Sequence, residues 1–130
     1  MSKQKSAGFT LIELVIVIVI LGVLAAVAAP RFIDLSEDAE RSSVQAQASA
    51  LESASAINFA AAVASEDFAD SEAINIDDCE DAGELLARPL DERFELSGDD
   101  GGETGDRLEC TLDADGIDAE FTLIVVDEEE

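Results

Sequence analysis

Glu13 is the only charged side chain among the 21 residues Phe9–Ala29, FTLIELVIVIVILGVLAAVAA. A carboxylate at a bilayer centre costs about 2.5–3.5 kcal/mol on insertion scales, and less near the end of a span, so Glu13 needs a partner. Cys79 and Cys110 are the only two thiols. Asp99, Asp100, Glu103 and Asp106, followed by Asp113, Asp115 and Asp118, offer the clustered oxygens that a hard cation such as Ca2+ takes. Neither stretch matches the Asp-x-Asp-x-Asp-Gly loop with its distal Glu. Acids are instead spread over the whole second half of the chain, as on a surface adapted to high salt. No metal site is therefore read, and the first four acids are the best candidates if one exists. With no His in the chain, Ser–His and Cys–His nucleophile pairs are excluded and a zinc site would lack imidazole. Nothing marks one carboxylate pair from the rest, so no enzyme is read.

The charge is lopsided. There are 31 acidic residues against 7 basic ones, a formal charge of −24 in 130 residues. A phosphate backbone is held by clustered Lys and Arg, so nucleic acid is not an expected partner. Yet 48% of the residues are hydrophobic, too many for a disordered acidic tail. Residues 66–130 hold 25 acids and only Arg88, Arg93 and Arg107 as cations. Charge and apolar mass are segregated along the chain.

The apolar run, as a helix, is roughly 30 Å long and matches the hydrocarbon core of a bilayer. Lys3 and Lys5 precede it without an acid, which predicts a cytoplasmic N-terminus with everything after Ala29 across the membrane. A secretory signal peptide is the ordinary reading of such a start. It fits badly, because the run exceeds the usual apolar length and contains Glu13.

The basic leader, Gly8, the sequence Phe9-Thr10-Leu11-Ile12-Glu13-Leu14 and the aliphatic run resemble the class III signal of type IV pilins and pseudopilins. The segment Ala29-Pro30-Arg31-Phe32-Ile33-Asp34-Leu35-Ser36-Glu37-Asp38-Ala39 is similar to the one that follows the membrane helix in pilins of the mannose-sensitive haemagglutinin (MSHA) type. The resemblance implies that prepilin peptidase cuts between Gly8 and Phe9 and that Phe9 is then N-methylated. It also implies that the apolar run is retained. Glu13 becomes the fifth residue of the processed chain and, with Phe9, forms the assembly site.

The pairing makes physical sense. The new α-amino group at Phe9 and the Glu13 carboxylate would each suffer in an apolar environment alone. Within about 4 Å of one another they neutralise, strongly where the dielectric is low. The resemblance implies that the carboxylate meets the amine of a neighbouring subunit during assembly. The bland alternative is a carboxylate snorkelling to the headgroups.

Gly22 and Pro30 bracket the end of the span. Proline lacks an N–H and clashes with the preceding turn, so a kink or local loss of helix is expected near residues 26–30. The resemblance implies that Gly22–Pro30 loosens on assembly; a plain helix end at Pro30 is the alternative. Helical periodicity then resumes, with Phe32, Leu35, Ala39, Ala46, Ala50, Ile57 and Ala61 near one face, expected to be core. Residues 42–64 are rich in Ala and Ser, which permit close helix packing.

Residues 66–88 read as loop with apolar anchors at Phe68, Ile74, Ile76, Leu85 and Leu86. Strands are expected over 93–96, 108–112 and 119–126, the last two joined by a turn at Asp113-Ala114-Asp115-Gly116. Gly98–Asp106 is loop by composition. Cys79 and Cys110 lie outside the cytoplasm in this orientation, where a disulfide is favoured over two free buried thiols. The expected fold class is α+β and pilin-like: a long N-terminal helix on a small antiparallel sheet. The divisions are a leader (1–8), a transmembrane and filament-core helix (9–29), its amphipathic continuation (30–64) and an acidic β domain with a disulfide (65–130).

The function implied is a structural subunit of an MSHA-like type IV pilus used for adhesion, anchored in the inner membrane before joining an extracellular filament. Its partners are other copies of itself in a helical filament, prepilin peptidase and the pilus assembly machinery. No cofactor is expected beyond the candidate Ca2+. A type II secretion pseudopilin shares the same N-terminal chemistry and is the second reading. A membrane-anchored acidic binding protein that does not assemble is the third.

Overall fold

The computed structural model describes residues 8–66 and 71–127. Lys3 and Lys5 of the expected leader, and Phe68 among the expected anchors, lie outside the described residues. The chain divides into two compact units, Met1–Asp38 and Ala39–Glu130.

One helix, α1, runs Leu11–Ala64. In the first unit its side chains are almost all exposed, including Leu14, Ile18, Leu21 and Leu24. It is long and apolar enough to cross a membrane. α1 stays helical through Pro30, so the single chain shows neither a local loss of helix near residues 26–30 nor a helix end at Pro30. Proline removes one backbone donor, and its ring presses on the turn around Ala26. The neighbours Ala25, Ala26, Ala28 and Ala29 are small, strong helix formers that leave the ring room, and the bonds on either side hold the turn.

In the second unit α1 buries Val44, Ala48, Leu51, Ser55 and Asn58, at steps of four and three. At about 100° per residue this is the opposite side from the expected core stripe. Ile57 is 71% exposed, and Ala39, Ala46 and Ala50 are also exposed, as are Phe32 and Leu35 in the first unit. Only Ala61 of that stripe is partly covered. The periodicity was read from apolar residues, whereas the buried face carries Ser55 and Asn58, whose polar atoms are satisfied by backbone.

Three antiparallel strands follow: β1 (Phe94–Gly98), β2 (Arg107–Ala114) and β3 (Ile117–Ile124), in the order β1-β2-β3. β2 and β3 form a hairpin closed at Ala114↔Ile117, with Asp115 (φ 56°) and Gly116 (φ 81°) at its tip. Positive φ at both central residues matches the right-handed strand twist, the conformation for which Asp-Gly is selected. β1 and β3 are shifted by one or two residues from their expected ranges, β2 extends its range at both ends, and Val125 and Val126 pack in the core just beyond β3.

One face of the sheet is the core: Leu108, Cys110, Leu112 and Ala114 of β2 with Ala119, Phe121 and Leu123 of β3, against Val44, Ala48 and Leu51 of α1. Where loop was expected, Cys79–Leu85 forms a 3₁₀ helix. Asp78 caps it, its side chain accepting the Glu80 N–H at 2.8 Å. Cys79 and Ala82 on this short helix are buried in the same core.

Helix side chains hold the sheet edge. Ser55 Oγ accepts the Ile124 N–H at 2.7 Å, and Glu52 accepts the Thr122 N–H at 3.1 Å. These are outward-facing donors of edge strand β3, satisfied without another strand. Asn58 pairs both ways with the Ile74 backbone, donating to its C=O at 2.8 Å and accepting its N–H at 2.7 Å.

Candidate assembly and processing site

The N-terminal site lies wholly in the first unit. Gly8, Phe9 and Thr10 precede the first helical residue, and Phe9 is 83% exposed. Thr10 is the helix cap. Its backbone N–H and its hydroxyl both donate to Glu13 Oε2, at 2.8 and 3.0 Å, and its Oγ1 accepts the Glu13 N–H at 3.4 Å. This reciprocal arrangement is a capping box, in which two of the orphan donors at a helix start are satisfied by side chains. The Thr-x-x-Glu spacing that signals this cap is legible in the sequence.

Chemically, the box answers the question the apolar run raised. Before any second chain is present, Glu13 is held by its own helix N-terminus, where the helix dipole also favours negative charge. Its second oxygen, Oε1, carries none of these bonds. An open apolar hollow lined by Phe9, Leu14, Ile16 and Val17 lies beside it. An ammonium group delivered there would meet a carboxylate already oriented, in apolar surroundings that strengthen the attraction. Among the other assembly-related residues, Gly22 and Pro30 lie within α1, and a Cβ at Gly22 would meet nothing within 4 Å. Close packing inside one chain is therefore not what that glycine serves.

In the second unit, Cys79 and Cys110 are joined by a disulfide that ties the 3₁₀ helix to the middle of β2, with Cα atoms 5.4 Å apart. Both residues are 0–1% exposed. Gly98 makes this crossing possible. At φ 146° it occupies backbone space few side chains tolerate, and a Cβ there would lie 2.5 Å from the Glu109 carbonyl and 2.8 Å from Cys79 Sγ. Composition marked Gly98 only as a loop residue.

The four best cation candidates are not drawn together. Asp99 is used through its backbone, donating to the Glu109 carbonyl and accepting from Cys79 N–H. Asp100 forms a backbone bridge with Asp78. Asp106 turns its carboxylate back onto the Glu103 N–H at 3.0 Å. All four are exposed, and among the described residues no three His, Cys, Asp or Glu side chains converge to hold an ion.

Residues 3–29 match the family model described as the prokaryotic N-terminal methylation motif. Over 54 residues, 42% of this chain and 47% of the relative, the chain is 57% identical to the type IV narrow pilus major component PilA5 of Thermus thermophilus. It is 47% identical over 51 residues to the type II secretion system core protein G of Klebsiella pneumoniae, covering 39% of this chain and 36% of that one. For the core protein G of Aeromonas hydrophila the identity is 41% over 54 residues, covering 42% and 38%. The match spans less than half the length of each of these relatives. No solved structure gives a significant match. With a methylation motif at the start of a long apolar helix and relatives of both kinds, the N-terminal segment of this chain is homologous to those of type IV pilins and type II secretion pseudopilins.

Proposed function

We propose that this chain is the repeating structural subunit of an MSHA-like type IV pilus that mediates adhesion. In this reading prepilin peptidase removes residues 1–8 on the cytoplasmic side and methylates Phe9. The processed subunit waits in the inner membrane, held by α1, with its acidic unit outside the cytoplasm. The pilus machinery then stacks the apolar helices into a filament. Glu13 takes the Phe9 ammonium of a neighbouring copy, and that pairing sets the register.

The observation that carries the proposal is the first unit itself. A capped helix presents an apolar surface exposed almost throughout, and its one charge is oriented by Thr10 at the motif shared with pilins. Such a surface is stable only in lipid or against other copies.

The test uses mass spectrometry of the N-terminal peptide together with electron microscopy of sheared surface material. An N-methylated Phe9 and fibres containing this chain are expected. Glu13→Ala should abolish regular fibres while leaving the second unit folded. Native-like fibres from Glu13→Ala, or an intact MSKQKSAG leader on the mature protein, would remove the mechanism.

A pseudopilin of a type II secretion system is the second reading, supported by the identity to core protein G. The disulfide and the Pro30–Ala39 segment favour the pilus. Absence of surface fibres together with a secretion defect on deletion would favour the pseudopilin.

A further inference from the structure

The outer edge of β1 borders an open groove of about 950 Å3 whose opposite wall is the 3₁₀ helix and the segment after it. The backbone groups exposed there follow from the ladder. Because Asp99 donates to the Glu109 carbonyl, Glu95 and Ser97 direct their backbone groups towards β2, and those of Phe94 and Leu96 turn outward. The Phe94 N–H is taken by the Asp91 carbonyl at 3.0 Å. Among the described residues no partner hydrogen-bonds the outward N–H or C=O of Leu96. Beneath them the groove floor is apolar, formed by Leu86, Leu90 and Leu96.

The rim has one sign. All six ionisable residues lining the groove are carboxylates, among them Glu80, Glu84, Glu92 and Glu95. The adjacent Arg93 is directed elsewhere: it stacks on Phe94 at 4.7 Å and donates to Ser43 Oγ at 3.4 Å. Acids along an edge strand oppose pairing with another acidic strand. A second copy of this −24 chain is thus the wrong occupant, and a segment carrying cations is the right one.

We propose that the β1 edge is a docking site for an extended segment of a different protein in which Lys or Arg alternates with apolar residues. The segment adds to the sheet as a fourth strand. Its backbone bonds the N–H and C=O of Leu96, its apolar side chains enter the Leu86–Leu90 floor, and its cations meet the carboxylate rim. The role is separate from filament assembly through α1 and does not depend on it.

The full processed chain in non-ionic detergent is titrated with a labelled eight-residue peptide alternating Lys and Val. Two controls accompany it: the same peptide with two Val replaced by Pro, and a Glu–Val analogue. Saturable binding of the Lys–Val peptide is expected, weaker by about tenfold or more for the proline peptide, with none for the acidic one. Leu96→Pro removes the outward N–H together with the Leu96 side chain of the floor, so Leu96→Ala is its control: the proline variant should weaken Lys–Val binding to the level of the proline peptide, and the alanine variant should weaken it less. Glu84→Lys with Glu92→Lys should weaken it as well. If Leu96→Pro misfolds, amide exchange at Leu96 in the native chain is read instead, and slowing on peptide addition is expected. Equal binding of the extended and proline peptides, unchanged binding by folded Leu96→Pro, or unchanged exchange at Leu96 overturns the proposal and leaves only diffuse attraction to a polyanion.

Discussion

On the solvent face of the sheet, register places Glu95 opposite Asp113 and Asp113 opposite Asp118, a row of three carboxylates across three strands. Like charges directly opposite are destabilising, by about 0.2–1 kcal/mol per pair. Asp113 and Asp118 form a non-hydrogen-bonded pair, the closer kind, with Cα atoms about 4.5 Å apart. At a charge separation of about 6 Å in water, Coulomb repulsion is about 0.7 kcal/mol, in line with that range. Asp118→Lys replaces one repulsion with an attraction of similar size. A gain of about 1 kcal/mol is expected in dilute buffer, or roughly 4–8 °C in the melting temperature of a unit this size. In 1 M salt, where the screening length falls to about 3 Å, most of the gain should vanish. Glu103→Lys is the matched control: it makes the same change in net charge at an exposed loop position. The assay is thermal unfolding followed by circular dichroism in low and molar salt. An equal effect from Glu103→Lys, or a gain from Asp118→Lys that survives molar salt, would refute the cross-strand repulsion.

Other expectations follow from the same structure. Asn58→Ala strips both hydrogen bonds from the Ile74 backbone and should cost about 2–3 kcal/mol, read as a lower denaturant midpoint. Gly98→Ala forces a Cβ against the Glu109 carbonyl and Cys79 Sγ, and should cost about 1–3 kcal/mol or leave titratable free thiol. Replacing Cys79 and Cys110 together by Ser opens a crosslink of sequence separation 31, with an expected loss of about 3–4 kcal/mol measured by urea unfolding. Loss of Lys3 and Lys5 with the leader would take the formal charge from −24 to −26, so fibres should need high ionic strength or divalent cations. Fibres that persist in dilute buffer with chelator, as seen by electron microscopy, would contradict this.

Much of the site was legible because it is local. A lone carboxylate in an apolar run, four residues past a Phe that follows Gly, lies within a few turns of helix, where spacing in sequence is spacing in space. The Thr10 cap belongs to the same class, and its Thr-x-x-Glu pattern was there to be found. The Asp115-Gly116 turn was equally local, since only residues tolerant of positive φ fit that hairpin tip.

What the amino-acid order determined by itself is the apolar helix, its polar start, the hairpin turn and the segregation of charge. All of these depend on neighbours within about one turn or one loop. The tertiary structure alone decided which side of α1 is buried, and it chose the face with Ser55 and Asn58, because edge donors of β3 and the Ile74 backbone needed partners there. It also decided that Asp106 turns its carboxylate onto the Glu103 N–H while Asp99 bonds Cys79 and Glu109 through its backbone, and that Gly98 must lack a side chain where the disulfide crosses β1. Propensity and periodicity describe a chain one segment at a time. Hydrogen-bond satisfaction in a core is settled between segments tens of residues apart, and that is information no single window of sequence contains.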